Sequence, residues 1–287
     1  MGHPRQACGW PLYKLLGGAS EAHSAYAGGV SLGYREPSLL VDEIRPHVDR
    51  GYKAVKLRVG DTPGRDIARA KAVRKAYGDD LVILSDANTG CTVEDARRLI
   101  PGLDDAGVAW LEEPFPAHDH RSYRIARGFG KIPLAAGENH YTRFEFNRLI
   151  EDGIITIVQP DLSKTGGITE GLRIAALASA WKLPINPHTS ISALNMAATI
   201  HFLAAIDNGG YFEADISKVN PYREQLGSKP YEVDRNGNVF PLESWHRRRS
   251  RHGLREEASG DRRAELRLAA TPSAPTQTMP RRGSTPP

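Results

Sequence analysis

The 287-residue chain has only two cysteines, Cys8 and Cys91. So few exclude a disulfide framework and a cysteine metal centre, and they fit a reducing cytoplasm. Long apolar runs are missing as well: no stretch reaches the roughly 18–20 residues of a membrane-spanning helix. The opening MGHPRQACGWPLYKLLGG lacks the apolar core of a secretion signal. Basic excess is absent from the body of the chain. The formal charge is +4, but residues 246–287 carry ten Arg against four acidic residues, which leaves 28 basic and 30 acidic groups elsewhere. Nucleic-acid and membrane partners are therefore not expected; a soluble cytoplasmic protein with a small-molecule ligand is.

What the chain does have is a ladder. The runs YKAVK, LVILSD, VAWLE, PLAAGE, ITIVQPD, LPINPH and GYFE end in Lys56, Asp86, Glu112, Glu138, Asp161, His188 and Glu213, spaced 23 to 30 residues apart. That interval holds one strand, one loop and one helix. With SAYAGGVSLGY in front there are eight candidate strands. Segments between them, such as GRDIARAKAVRKAYG and ITEGLRIAALASAWK, repeat apolar residues every three or four positions, as helices with one buried face do. Thr92 with Glu94 or Asp95, and Thr142 with Glu145, read as helix starts. Strands alternating with helices predict a parallel sheet, and eight of them predict closure into an α/β TIM-like barrel over residues 24–243. Residues 1–23 hold a short helix-like piece, too little for a domain. Residues 244–287, rich in Arg, Ser and Pro, are predicted to be a disordered tail.

In such a barrel all strand ends open on one mouth, where catalytic groups collect. Asp86, Glu112 and Glu138 end three successive strands. Three carboxylates in one place repel unless a cation sits between them, and hard oxygen donors suit Mg²⁺, or Mn²⁺. Lys56 and Arg58 leave the same face of their strand, so the nearby cation would favour the neutral amine of Lys56 and make it a general base. Asp161 and His188 suit an orienter and a base, the carboxylate fixing the imidazole tautomer. Glu213 can hydrogen-bond a substrate oxygen, as a neutral acid if its surroundings raise its pKa. His118, His120, His140, Tyr141 and Arg143 follow these strands and are candidates to meet substrate hydroxyls or a distal carboxylate.

The motifs PLYKLLGG, AVKLRVG, LSDAN, WLEEP, GEN, VQPDLSKTGGIT, NPHTS and YFEAD, in this order, resemble those of the enolase superfamily in its mandelate racemase group, over about residues 10 to 243. The resemblance implies a (β/α)7β barrel with Asp86, Glu112 and Glu138 as Mg²⁺ ligands. It implies Lys56 as the base on one substrate face, His188 with Asp161 on the other, Glu213 at the substrate carboxylate, and Asn88 touching the substrate. Glu113, the second acid of WLEEP, is not carried over as a ligand. Lys56-Leu57-Arg58 departs from the Lys-Xaa-Lys of mandelate racemase, and Arg58 supplies charge without proton exchange.

The implied reaction is removal of the proton next to a carboxylate through an enediolate, most often dehydration of an acid sugar to a 2-keto acid. Racemisation or epimerisation of a 2-hydroxy acid is the alternative exit. Full-length members of the family carry an α+β cap over the barrel, and the resemblance implies a homo-oligomer for that form. The sequence shows no such cap before the first strand and no family-like carboxyl end, so a truncated remnant with little or no turnover is a further expectation.

Overall fold

The computed structural model describes residues 9–29, 31–189, 191–226 and 231–242. The tail predicted to be disordered, residues 244–287, lies outside the described residues. Short helix α1 (Leu12–Leu15) leads into β1 (His23–Gly28), after which α2 (Pro37–Asp49), β2 (Ala54–Arg58), α3 (Pro63–Tyr77) and β3 (Val82–Asp86) alternate. The alternation continues through α4 (Val93–Asp105), β4 (Val108–Glu112), α5 (His120–Ala126), β5 (Leu134–Ala136), α6 (Thr142–Glu151), β6 (Ile157–Val158) and α7 (Ile168–Ala180). Helix α8 (Ala193–Leu203), β7 (Phe212–Asp215), α9 (Pro221–Gln225) and β8 (Asn238–Val239) complete it.

Strands β6-β5-β4-β3-β2-β1-β7 pair in that order, and all of these pairings are parallel. Ile185 closes the ring, bridging Val158 on one side and Gly209, just ahead of β7, on the other. Among the described residues the barrel thus has eight staves and seven intervening helices. The stave expected from LPINPH is reduced to that one bridging residue. Pro184 and Pro187 flank it, and neither has an N–H to give a ladder. Outside the ring, β8 pairs antiparallel with the start of β1.

Side chains alternate between two apolar layers, as the period of a strand requires. Val55, Leu57, Ile83, Leu111, Val158 and Phe212 point outward and pack with helix residues such as Ile44, Leu99, Phe146, Ile174 and Phe202. Tyr26, Ala54, Leu84, Trp110, Ala135 and Ile157 fill the interior, with Tyr211 against them. Tyr26, Trp110 and Tyr211 meet edge to face, with ring centroids 5.9 to 6.2 Å apart. The barrel is therefore plugged below its mouth.

Local chemistry sets the helix ends. Thr92 and Asp95 form a reciprocal capping box on α4, at 3.1 and 3.0 Å. The start expected at Thr142 is not built that way. Thr142 has φ 58° and Tyr141 precedes the helix without a side-chain cap. Glu145 accepts from the Tyr141 N–H at 2.6 Å, and Glu170 of α7 accepts from the Arg143 N–H at 2.9 Å. A carboxylate from the next helix does what a local hydroxyl was expected to do. At the other end, α1 packs Tyr13, fully buried, against His201 of α8 with stacked rings 5.8 Å apart. Among the described residues no helix is long and apolar enough to cross a membrane.

Candidate active site

Two residues further along five of the inward faces, the barrel interior changes from apolar to polar or charged. Ala54 is followed by Lys56, Leu84 by Asp86, Trp110 by Glu112, Ile157 by Gln159 and Tyr211 by Glu213. The register places Arg58 beside Asp86 and Asp86 beside Glu112 on neighbouring strands. Lys56 does not close its strand: β2 runs two residues further, and Lys56 sits at its centre. Its ammonium is 1% exposed, 2.9 Å from Glu112 Oε1, 2.9 Å from Glu213 Oε1 and 3.2 Å from Asp86 Oδ2. The Tyr26 ring lies 5.5 Å away.

This cage, taken by itself, favours the ammonium over the neutral amine expected from the Lys56–Arg58 spacing. Burial alone lowers the Lys56 pKa, but Glu112, Glu213 and Asp86 outweigh it and hold the ammonium well above its ordinary range. Arg58 spends its charge elsewhere, donating from Nη1 to Asp86 Oδ2 at 2.5 Å and from Nε to the Gly29 carbonyl at 3.2 Å. Glu213 is also corrected. Burial pushes its pKa up, yet Lys56 and His188 pull it below the usual carboxylate range, with N–H donors from Thr189 at 3.0 Å and Gly29 at 3.2 Å. The condition for a neutral acid, a raised pKa, is therefore not met. Glu112 moves the other way, pushed up by burial and by the neighbouring Asp86 charge.

His188, three residues past the bridging Ile185, donates from Nδ1 to Asp161 Oδ2 at 2.7 Å and faces Glu138 Oε2 with Nε2 at 3.0 Å. Burial lowers its pKa, but the Asp161 hydrogen bond and the Glu213 and Glu138 charges raise it to about 9. These neighbours favour the imidazolium form. Asp161 is steadied by Ser163, with N–H and Oγ at 2.7 and 2.5 Å, and by Asn195 Nδ2 at 3.1 Å. Arg58, Asn88, Glu138, Asp161, Lys164 and His188 line one cavity of about 590 Å³.

Asp86, Glu112 and Glu138 stand at or just beyond the ends of β3, β4 and β5. Among the described residues no three acidic or imidazole side chains form a ready cation cage. The reason is visible: Asp86 and Glu112 face the Lys56 ammonium, and Glu138 faces His188. The donor chemistry nonetheless fits a divalent cation that prefers oxygen, since these are three carboxylates from adjacent staves with no thiol among them.

Gln159 and Lys164 escape the sequence reading, and Glu113 entered it only as an acid not carried over as a ligand. Gln159 donates to Glu112 Oε2 at 2.7 Å, and its signal was its place two residues before Asp161 in the ITIVQPD run, just past the end of β6. Glu113 is buried, its pKa pushed up to about 7 by burial and by Glu138, and Asn139 donates to it at 2.7 Å. Lys164 reaches Glu138 at 3.6 Å. The loop candidates divide differently from expectation. His118, His120, His140 and Tyr141 line a separate cleft of about 460 Å³, and Arg143 pairs with Glu170 at 2.8 Å.

A family model described as Enolase C-terminal domain-like matches residues 39–242. Arabinonate dehydratase of Saccharolobus solfataricus is 33% identical over 234 residues, covering 80% of this chain and 62% of that protein. The crystal structure of a member of the enolase superfamily from Polaromonas sp. JS666 is 49% identical with a TM-score of 0.84, covering 88% of this chain and 67% of that one. A racemase from Streptomyces coelicolor A3(2), crystallised with bound magnesium, is 28% identical with a TM-score of 0.73, covering 83% of this chain and 64% of that one. The chain spans about three fifths of the length of the arabinonate dehydratase it matches.

Proposed function

The chain belongs to the Enolase C-terminal domain-like family, and from that premise we propose that it removes the proton next to the carboxylate of a hydroxy acid, dehydrating an acid sugar to a 2-keto acid. The observation that carries this reading is the pairing of two buried proton carriers at one mouth. Lys56 sits among Asp86, Glu112 and Glu213 within 3.2 Å, and His188 is fixed by Asp161 at 2.7 Å. A Mg²⁺ held by Asp86, Glu112 and Glu138 would supply positive charge beside the reacting carboxylate and draw carboxylate oxygens away from Lys56.

The chain's own residues then divide the work. Lys56, as the free amine, accepts the α-proton. Glu213 holds Lys56 in place from the last stave. His188, already an imidazolium, gives its proton to the departing β-hydroxyl, and Asp161 keeps Nδ1–H occupied so that Nε2 does the transfer. Arg58 and Asn88, on the cavity wall, meet the anionic substrate. The plug of Tyr26, Trp110 and Tyr211 keeps water from reaching Lys56 from below.

A second exit from the same step is favoured by the charge on His188. If it returns its proton to carbon on the opposite face, the product is an epimer, in line with the racemase relative. Incubating the chain with Mg²⁺ and a panel of mono- and diacid sugars in D₂O separates the readings. Formation of a 2-keto acid supports dehydration, and an α-deuterated epimer supports racemisation. Absence of both products and of any α-proton exchange across the panel would sink the proposed chemistry.

A further inference from the structure

We propose that Gln159 is a positioning residue that aims Glu112 at the cation site, an inference that rests on the metal reading above. Gln159 is 1% exposed on the inner barrel face. Its Nε2 donates to Glu112 Oε2 at 2.7 Å, while the other oxygen, Oε1, receives Lys56 at 2.9 Å. Asp86 is divided in the same way: Oδ1 accepts from the Asn88 N–H at 2.8 Å and Oδ2 faces Lys56 at 3.2 Å. In both carboxylates a neutral donor takes one oxygen and the other turns to the same ammonium. Glu112 Oε1 and Asp86 Oδ2 therefore converge on the Lys56 ammonium, the position a bound cation would contest, while Arg58 Nη1 also holds Asp86 Oδ2 at 2.5 Å.

A glutamate has one more rotatable bond than an aspartate, so Glu112 needs a clamp from elsewhere to hold its carboxylate plane. Gln159 supplies it from a rigid mount. Its backbone N–H donates to the Ala136 carbonyl at 3.0 Å. Gly137, at φ 154°, lies so close that a Cβ there would sit 2.6 Å from the Gln159 carbonyl. The amide is oriented for Glu112 at the expense of its own oxygen, since Gln159 Oε1 is buried with no hydrogen-bond partner. The residue type also suits the task. A neutral donor leaves the Glu112 charge available to a cation, whereas Lys or Arg would compete with it and Glu would repel its partner.

The test is Mg²⁺ titration calorimetry on the full chain, Gln159→Leu and Gln159→His, with the Mn²⁺ electron paramagnetic resonance spectrum as a reporter of site geometry. Loss of a group that orients a metal ligand lowers affinity roughly 10–100-fold. Gln159→Leu should fall in that range with an altered Mn²⁺ spectrum, and Gln159→His, which can present a ring N–H at a similar reach, should recover most of the loss. Unchanged affinity and spectrum in Gln159→Leu overturn the proposal alone. Equal weakening in both variants assigns Gln159 to packing and overturns it too. If the unaltered chain binds no Mg²⁺, the metal reading falls and takes this inference with it. Should Gln159→Leu not fold, ¹⁵N-glutamine labelling of the unaltered chain decides: the Gln159 side-chain amide should be protected from exchange and shift on Mg²⁺ addition, and an unprotected, unresponsive amide overturns the clamp.

Discussion

Lys56 has exchanged its water shell for three carboxylates, and that substitution governs what the mouth of the barrel can do. Burial of an ammonium is costly unless opposite charges replace the solvent, and here they come from β3, β4 and β7. Proton transfer then requires that Lys56 and His188 work from different sides of a substrate. With a turned-over acid sugar in D₂O, α-proton exchange of one stereoisomer should survive His188→Asn and vanish in Lys56→Ala; loss of both exchanges in either single variant would leave the two-base scheme without support. Away from this cluster, His140 titrates for a different reason. Burial pushes its pKa down to about 4, with Nε2 donating to the Ala117 carbonyl at 3.1 Å. An unfolded imidazole titrates near 6.5, so between pH 6.5 and about 4 the unfolded chain binds a proton that the folded chain lacks. Stability is fully present above pH 6.5 and falls by about 3 kcal/mol as pH drops through that window. Urea midpoints measured from pH 7 to 4 should show a shallower decline in His140→Phe, and an unchanged slope would remove His140 as its source. At this scale the sequence placed Lys56, Asp86, Glu112, Glu213, Asp161 and His188 at one barrel mouth, where the structure brings them together, but did not show their charge balance. Parity put Lys56 and Arg58 on one face, whereas the charges that set the Lys56 proton arrive from strands far along the chain.

The helices and strands were legible wherever a residue's own neighbours decide the outcome. The Thr92 start of α4 is such a case, since its box closes within four residues. Thr92→Ala should cost about 1 kcal/mol in urea unfolding, and no measurable loss would show that the end of α4 is held by packing instead. The start of α6 at Thr142 was legible in place, with Glu145 reaching back to the Tyr141 N–H, but the Thr142 hydroxyl does not cap it, because Glu170, which also serves the first turn, lies on the following helix and is invisible to a local pattern. The LPINPH stave was read correctly in place but not in extent, because two prolines allow it to bridge and not to ladder. Gln159 was overlooked for a related reason: a polar residue before Asp161 draws no notice until closure brings Glu112 against it.

Taken whole, the barrel places its candidate cation ligands on three different staves, so a bound ion links segments that must separate on unfolding. Anything that binds only the folded state stabilises it by mass action, about 2.7 kcal/mol at a hundredfold excess over Kd. For a chain of this size that corresponds to about 2–4 °C in Tm per kcal/mol. Thermal unfolding should therefore shift upward with saturating Mg²⁺ and return with a chelator, and an unmoved Tm would argue against a site at Asp86, Glu112 and Glu138. The ring itself is unevenly sewn. β2 and β3 share five paired positions, whereas the stave of Ile185 is joined by one bridge on each side. That seam is among the thinnest in the ring, matched by β1 and β2, which share one paired position in their strands. Asp161 follows the stave on one side of it and His188 continues the thin stave, and their 2.7 Å hydrogen bond crosses between them. The contact that orients the imidazole is thus also a stitch, so loosening it would slacken the barrel wall at the point where the acid must be held still.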